Sequence, residues 1–295
     1  MTRLIPKKMK MGTYKSVSPA LTLAGLGIFL LFMTACRKEK QELDSDTTSA
    51  AEYAVADAAF ADVANIADEA YSGNLDSYRT GDGGVPGTLS ACADLTIDTL
   101  AKSMVIDFGT VNCQCADGVF RRGKILVSWT GTYRDSGSSH SISFDNYFVN
   151  SNQILGTKTV VNNGVNANGN LSFSVSVNGS VIWDAQSTGG GGTSTMVSTR
   201  TREWIAGSST PNWSDDVYLI SGTASGLTRT GNAYTMSTSQ PLKKEIGWRH
   251  FTDGILQFTP SGKFTRSIDY GYVNGGRDAL AQVTINGYVF NIQLR

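Results

Sequence analysis

The sequence predicts a mainly β protein, a curved antiparallel sheet meander with one N-terminal α-helix. Three observations lead to this fold class. From about residue 93 to residue 295 apolar residues alternate with Ser, Thr, Asn or Lys, as in residues 171–177, which is typical of strands with one dry and one wet face. Asn-Gly pairs between β-branched or aromatic residues indicate tight hairpins. An alanine-rich stretch before the strands has apolar residues at helical spacing.

Residues 1–35 are predicted to be a lipoprotein signal peptide. The first 20 residues contain five basic side chains and no acidic one, and residues 21–32 are apolar. That core of about a dozen residues is shorter than the roughly 20 that a membrane-spanning helix needs. The run that ends at Ala35 and Cys36 resembles the lipobox of bacterial lipoproteins, so cleavage after Ala35 and acylation of Cys36 are expected.

A lipid on Cys36 makes the membrane the first expected partner. Two or three acyl chains such as palmitate hold a protein almost permanently, whereas one chain is marginal. We expect a cell-envelope location at the outer membrane, because Arg37 stands where an inner-membrane retention signal would have Asp; whether the protein faces the surface or the periplasm stays open. Removing the five leader cations leaves 20 basic against 25 acidic residues, which gives no reason to expect a nucleic acid partner.

The segments after Cys36 differ in composition. Residues 36–48 are charged and predicted to form a flexible tether. Residues 49–72 are predicted to form an amphipathic helix, capped by Thr47, Thr48 or Ser49, ended by Gly73 and packed on the β domain. Residues 73–92 then form a glycine-rich loop, and residues 93–295 form the antiparallel β domain.

Turn signals predict the strand connections. The pairs Asn178-Gly179 and Asn286-Gly287 match two-residue hairpins with positive φ at both central positions, and residues 149–154 match a looser version. Further glycine-centred turns, among them Gly156, Gly222 and Gly226, predict strands shorter than about ten residues. A long, strongly curved sheet is favoured over a sandwich or a partly open barrel, which remain alternatives.

Several motifs carry a family resemblance. The lipobox, the helix segment 62–70, the segments 96–98, 106–109, 117–125 and 154–157, and the closing Asp269-Tyr270-Gly271 together resemble a family of uncharacterised Bacteroidota lipoproteins. The resemblance covers nearly all of the mature chain. It implies a cell-envelope lipoprotein and no particular activity. Members of the family typically carry a cysteine shortly after the closing motif, and this chain has none there.

Three cysteines remain once Cys36 is acylated. Cys92, Cys113 and Cys115 would lie in an oxidising compartment. A bond between Cys113 and Cys115 would be strained, so Cys92 is predicted to pair with either of them. A metal site is not expected, since paired CxxC spacing is missing.

Catalytic motifs are sparse, and we expect no cofactor. The chain has two histidines, His140 and His250, and no nucleophile elbow around a serine. The tetraglycine at 189–192 lacks the Lys-Ser/Thr of a phosphate loop. Five aspartates were considered for a carboxylate pair and are better explained as turn and edge residues: Asp107, Asp145, Asp215, Asp216 and Asp269.

Aromatic side chains give the better functional indication. Trp204 and Trp213 flank a serine-rich loop and are predicted to be exposed, where their rings could stack on a glycan. The sequence therefore predicts a lipid-anchored envelope protein with a structural or binding role, non-enzymatic, with a glycan or an envelope protein as a further partner. A polysaccharide-active hydrolase and a lipid- or lipopolysaccharide-handling module are the alternatives.

Overall fold

One antiparallel sheet of 14 strands and one long helix make up the fold. The computed structural model describes residues 44–80, 92–187, 189–210, 213–246, 248–272 and 274–294. Helix α1 spans Thr48–Thr80, and two short 3-10 helices span Trp213–Asp215 and Asn274–Gly276. The strands are β1 Asp94–Asp98, β2 Ser103–Asp107, β3 Cys113–Gln114, β4 Phe120–Trp129, β5 Ser139–Val149, β6 Asn152–Val165, β7 Leu171–Trp183, β8 Gly192–Ala206, β9 Val217–Leu227, β10 Ala233–Glu245, β11 Asp253–Pro260, β12 Arg266–Asp269, β13 Leu280–Ile285 and β14 Tyr288–Gln293.

The strands follow each other as a meander, which confirms the predicted fold class. Their order in the sheet is β1-β2-β4 and then each strand in turn to β14, while β3 pairs with β4 outside this path. The sheet does not close, because β1 and β14 are its two ends. Alternating burial along β7 and β8 shows the expected dry and wet faces.

The wet face carries a row of small hydroxyl side chains. Cross-strand partners connect Thr159 to Ser176, Ser176 to Thr199, Thr199 to Thr223, and Thr223 to Ser237. This row carries no charge. The buried charged residues of these strands lie on the opposite face, against the helix: Lys158, Arg200, Arg202 and Lys244.

Two of the three predicted hairpins form. At the β13–β14 turn, Asn286 and Gly287 have φ of 48° and 83°, as a type I′ turn requires. The β5–β6 turn is of the same kind, with φ of 47° at Asn150 and 68° at Ser151.

The third prediction was wrong, because Asn178 and Gly179 lie inside β7. Gly179 pairs with Gly156 on β6 and with Met196 on β8. A Cβ atom on Gly179 would stand 2.3 Å from Cζ of Phe60 on α1. This glycine therefore serves close approach of the helix to the sheet and no turn.

The strands are also longer than predicted, up to 15 residues in β8. Gly156, Gly222 and Gly226 lie within β6 and β9, not between strands. At each of them an added Cβ would meet a neighbouring backbone carbonyl within 2.3 Å. Close backbone approach within a long, curved ladder accounts for these glycines as well as a turn would.

Helix α1 begins as predicted and extends beyond its predicted end. The backbone N–H of Ala51 donates to the carbonyl of Thr47 at 2.9 Å, which makes Thr47, one of the predicted residues, the N-cap, and the carboxylate of Asp46 accepts the backbone N–H of Thr48 at 3.0 Å. The helix continues past Gly73 to Thr80. A glycine costs about 1 kcal/mol in a helix and does not by itself end one.

The helix is enclosed over most of its described side chains. Between residues 50 and 67 every side chain is buried or half-buried. The predicted packing against the β domain is present, but this stretch lacks the exposed polar face of an amphipathic helix, since Glu52 and Asp57 are buried too. The acidic side chains point into the sheet because cations there neutralise them.

Candidate functional site

Five ion pairs join the N-terminal segment to the strands and turns of the β domain. Asp44 pairs with Arg266 at 2.9 Å and Asp46 with Lys263 at 2.6 Å. The pairs along the helix are Glu52 with Arg229 at 3.1 Å, Asp57 with Arg200 at 2.6 Å, and Asp62 with Arg121 at 2.6 Å. We call these five pairs the charge ladder.

The charge ladder crosses the sheet in reverse chain order. It starts at β12, passes the β9–β10 turn and β8, and ends at β4, where Arg121 lies. The three helical acids are five positions apart, and at about 100° per residue they point in three different directions. Cations on different sides of the helix meet them, which is consistent with the enclosure of α1.

Burial determines the electrostatics at the ladder's centre. Desolvation alone would lower the pKa of Arg200, but the carboxylate of Asp57 outweighs it and raises that pKa. Arg200 also donates to the hydroxyl of Tyr53 at 2.7 Å. Desolvation raises the pKa of Glu52 despite its contact with Arg229. The cation is buried in four of the five pairs, whereas Lys263 and Asp46 form an exposed pair. In the buried pairs each partner depends on the other.

A second group of cations surrounds a cavity beside the ladder. The cavity has a volume of about 40 Å³ and lies between α1 and strands β6 to β10. Its charged lining consists of Lys158, Arg200, Arg202 and Lys244 together with Asp57. We call it the cationic cavity.

Backbone carbonyls hold the two lysines of the cationic cavity. Lys158 donates to the carbonyl of Phe60 at 2.7 Å, and Lys244 donates to the carbonyls of Trp248 and Arg249. Desolvation, reinforced by the positive charge of Arg249 and opposed by Asp62, lowers the pKa of Lys244 to about 8. Lys244 is therefore mostly charged at neutral pH.

Arg202 is the least compensated cation of the cavity. Its side chain is 5% exposed, and its Nε and Nη2 atoms have no hydrogen-bond partner. The guanidinium lies 4.5 Å from the ring centroid of Tyr218 and 5.3 Å from that of Phe173. These ring faces stabilise the charge but accept no conventional hydrogen bond from Nε or Nη2.

The structure pairs Cys92 with Cys113, one of the two pairings that the sequence left open. Their Cα atoms are 5.6 Å apart and the bond closes a loop with a sequence separation of 21. Cys115 is a buried thiol whose pKa desolvation raises. It lies near Arg121, whose guanidinium bridges Asp62 and Asp117.

The predicted exposure of Trp204 was wrong. This side chain is 4% exposed, its indole N–H donates to Asp216 at 3.1 Å, and its ring packs on Tyr218 and Phe173. Trp204 shares the inward parity of β8 with Arg202, and β8 ends only at Ala206, so the predicted loop begins after it. The side chain of Trp213 lies outside the described residues, as do Cys36 and the leader.

Both histidines have a pKa below the ordinary value. Burial lowers the pKa of His140, and burial with the nearby charges of Arg249 and Lys244 lowers the pKa of His250 to about 3.

The five aspartates considered for a carboxylate pair have local partners. Asp107 pairs with Lys124, Asp145 accepts from Asn146, Asp215 accepts from Thr210, Asp216 accepts from Trp204 and Tyr218, and Asp269 accepts from the backbone of Gly271. These contacts are typical of turn and strand-end residues.

The part of the chain that the structure describes contains neither a candidate metal site nor a candidate membrane-spanning helix. Its His, Cys, Asp and Glu side chains form no group of three or more that could hold a metal ion. Among the same residues, no helix combines the length and apolarity that crossing a membrane requires.

Comparison with known proteins adds no relative. No family model, curated protein or solved structure matches this chain. The candidate site therefore rests on its own geometry, which is a helix enclosed by a sheet, a ladder of mostly buried ion pairs and a cavity lined by cations.

Proposed function

We propose that this protein is a lipid-anchored cell-envelope protein with a structural or binding role, of the Bacteroidota lipoprotein type that its motifs resemble. The observation that supports the proposal is the place where the described chain begins. Asp44, eight residues after Cys36, already pairs with Arg266, a side chain that is fully buried. The described chain thus contacts the interior of the domain within eight residues of the proposed anchor.

This arrangement limits where the domain can act. Eight residues extend to at most about 28 Å, so a lipid on Cys36 would keep Asp44 within that distance of the membrane.

The outer membrane remains the proposed location, and a glycan or an envelope protein the proposed further partner. Trp204 plays no part in such contact because it is buried. The hydroxyl row on the wet face of β6 to β10 is the surface that a tethered domain would present there. Protease treatment of intact cells, compared with lysed cells, distinguishes display at the surface from the periplasmic face.

Replacing Cys36 tests the anchor. In cells that express the full chain, Cys36→Ser should abolish incorporation of a palmitate analogue and move the protein from the membrane to the soluble fraction. Cys115→Ser is the matched control and should leave both unchanged. Membrane retention of the Cys36→Ser protein without detergent, or an unacylated mature N-terminus in mass spectrometry, would contradict the proposal.

A further inference from the structure

The cationic cavity has an excess of buried positive charge. Four cations and one carboxylate line it, and that carboxylate, Asp57, is already engaged by Arg200. Asp62 attracts Lys244 from the next helical turn but is itself bound to Arg121. Uncompensated buried charge is costly, and an arginine cannot escape the cost by losing its proton.

The unsatisfied donors of Arg202 indicate where an anion could neutralise that charge. Nε and Nη2 lie on the same edge of the guanidinium, the edge that receives two oxygens of a carboxylate or phosphate side by side. In this structure both atoms are buried and without a partner, and the residue lines the cavity. The aromatic rings of Tyr218 and Phe173 lie within 5.3 Å of Cζ of Arg202 and occupy neither of these two atoms with a hydrogen bond.

We infer that the cationic cavity binds a small oxyanion, with two of its oxygens on the Nε–Nη2 edge of Arg202. Arg200 supplies a second unsatisfied donor, since its Nε atom is also buried and without a hydrogen-bond partner. Lys158 and Lys244 add positive charge from β6 and β10. The ligand that fits is tetrahedral or planar, with oxygens on at least two sides.

The volume restricts the ligand to small ions. A cavity of about 40 Å³ has room for about three waters, since holding one water requires roughly 10–15 Å³ of such space. Inorganic phosphate or sulfate has this size, whereas a nucleotide or an acyl chain does not. The site does not depend on the lipid anchor, so failure of either proposal leaves the other intact.

Thermal unfolding of the detergent-extracted full chain tests the site. Inorganic phosphate, added at constant ionic strength against sodium chloride, should raise Tm in a saturable way, because a ligand of the folded state stabilises it by mass action. The rise in Tm with sulfate and with acetate, measured in the same way, identifies whether the site prefers tetrahedral or planar oxyanions. A Tm that phosphate and chloride change equally would overturn the inference, because only screening would then be at work.

Arg202→Met is the diagnostic variant. Methionine keeps length and contact with the rings, so the fold is expected to persist with an unchanged or higher Tm in chloride, and the dissociation constant for phosphate should rise about tenfold or more. Arg122→Met is the matched control, because Arg122 also lies over an aromatic ring, 3.6 Å from the centroid of Phe148, but does not line the cavity. An undiminished phosphate response in Arg202→Met would contradict the assignment.

Equilibrium dialysis of the wild-type chain with labelled phosphate is a test that needs no variant, and absence of phosphate binding there would also overturn the inference.

Discussion

Replacing Gly179 by alanine would place a methyl group against the ring of Phe60. The new Cβ atom would lie 2.3 Å from Cζ and 2.6 Å from Cε1 of that ring, and 2.9 Å from the carbonyl oxygen of Leu155. Ordinary contact begins near 3.4 Å, so the helix and β7 must separate by about 1 Å. Overpacking of this kind costs about 1–3 kcal/mol, against a gain of roughly 0.5–1 kcal/mol from replacing glycine in a strand. We expect Gly179→Ala to lower the free energy of unfolding by about 1–2 kcal/mol.

Urea unfolding followed by circular dichroism measures this change. Gly131→Ala is the control, since a Cβ there would stand at an ordinary 3.4 Å from its nearest neighbour. Combining Gly179→Ala with Phe60→Leu should cost less than the sum of the two single changes, because the smaller side chain makes room for the methyl group. If Gly179→Ala were neutral or stabilising, Phe60 would not pack on this position and the described approach of α1 to β7 would be wrong.

Three further predictions concern the ladder, the disulfide and a histidine. Asp57→Asn should lower the free energy of unfolding in urea by about 3–5 kcal/mol, because it leaves the buried guanidinium of Arg200 without its carboxylate. Asp46→Asn, in an exposed pair, should lower it by about 1 kcal/mol or less. Equal losses in the two variants would refute the burial argument. Cys113→Ser should lower stability by about 3 kcal/mol and abolish the effect of a reductant on Tm, while Cys115→Ser should keep that effect. Because the pKa of His250 is lowered to about 3 in the folded state, the unfolded state binds more protons between pH 6.5 and pH 3, and stability should fall as pH falls through that window. His250→Asn should make this fall in stability smaller. An unchanged pH profile in the variant would refute the contribution of His250.

Much of the fold follows from local patterns, and one error shows their limit. An Asn-Gly pair predicts a hairpin by its backbone preference alone. At Asn286-Gly287 the hairpin also places two large apolar side chains opposite each other, since Ile285 pairs with Tyr288 across the strands. A hairpin at Asn178-Gly179 would instead set Val177 opposite Ser180 and mix the two faces. Unbroken apolar parity through Gly179 was the signal for a continuous strand.

The candidate site was harder to predict, because its parts lie far apart in the chain. Arg200 and Arg202 share parity with Trp204 on β8, which indicates that they face the core. Their partners, such as Asp57, lie more than a hundred residues earlier, and no local pattern states which acid meets which cation. The exposure of Trp204 was mispredicted for the same reason, since its environment is created by the enclosed helix and by neighbouring strands.

Hydrogen exchange of the full chain tests the central claim most directly, that α1 is the interior of the domain. Amides between residues 50 and 67 should exchange as slowly as those of β7 and β8, because the helix can open only when the sheet around it unfolds. The exchange rates of the helix amides and of the strand amides should rise with denaturant concentration in the same way. Exchange of the helix amides through a lower-energy opening that leaves β7 and β8 protected would contradict the account.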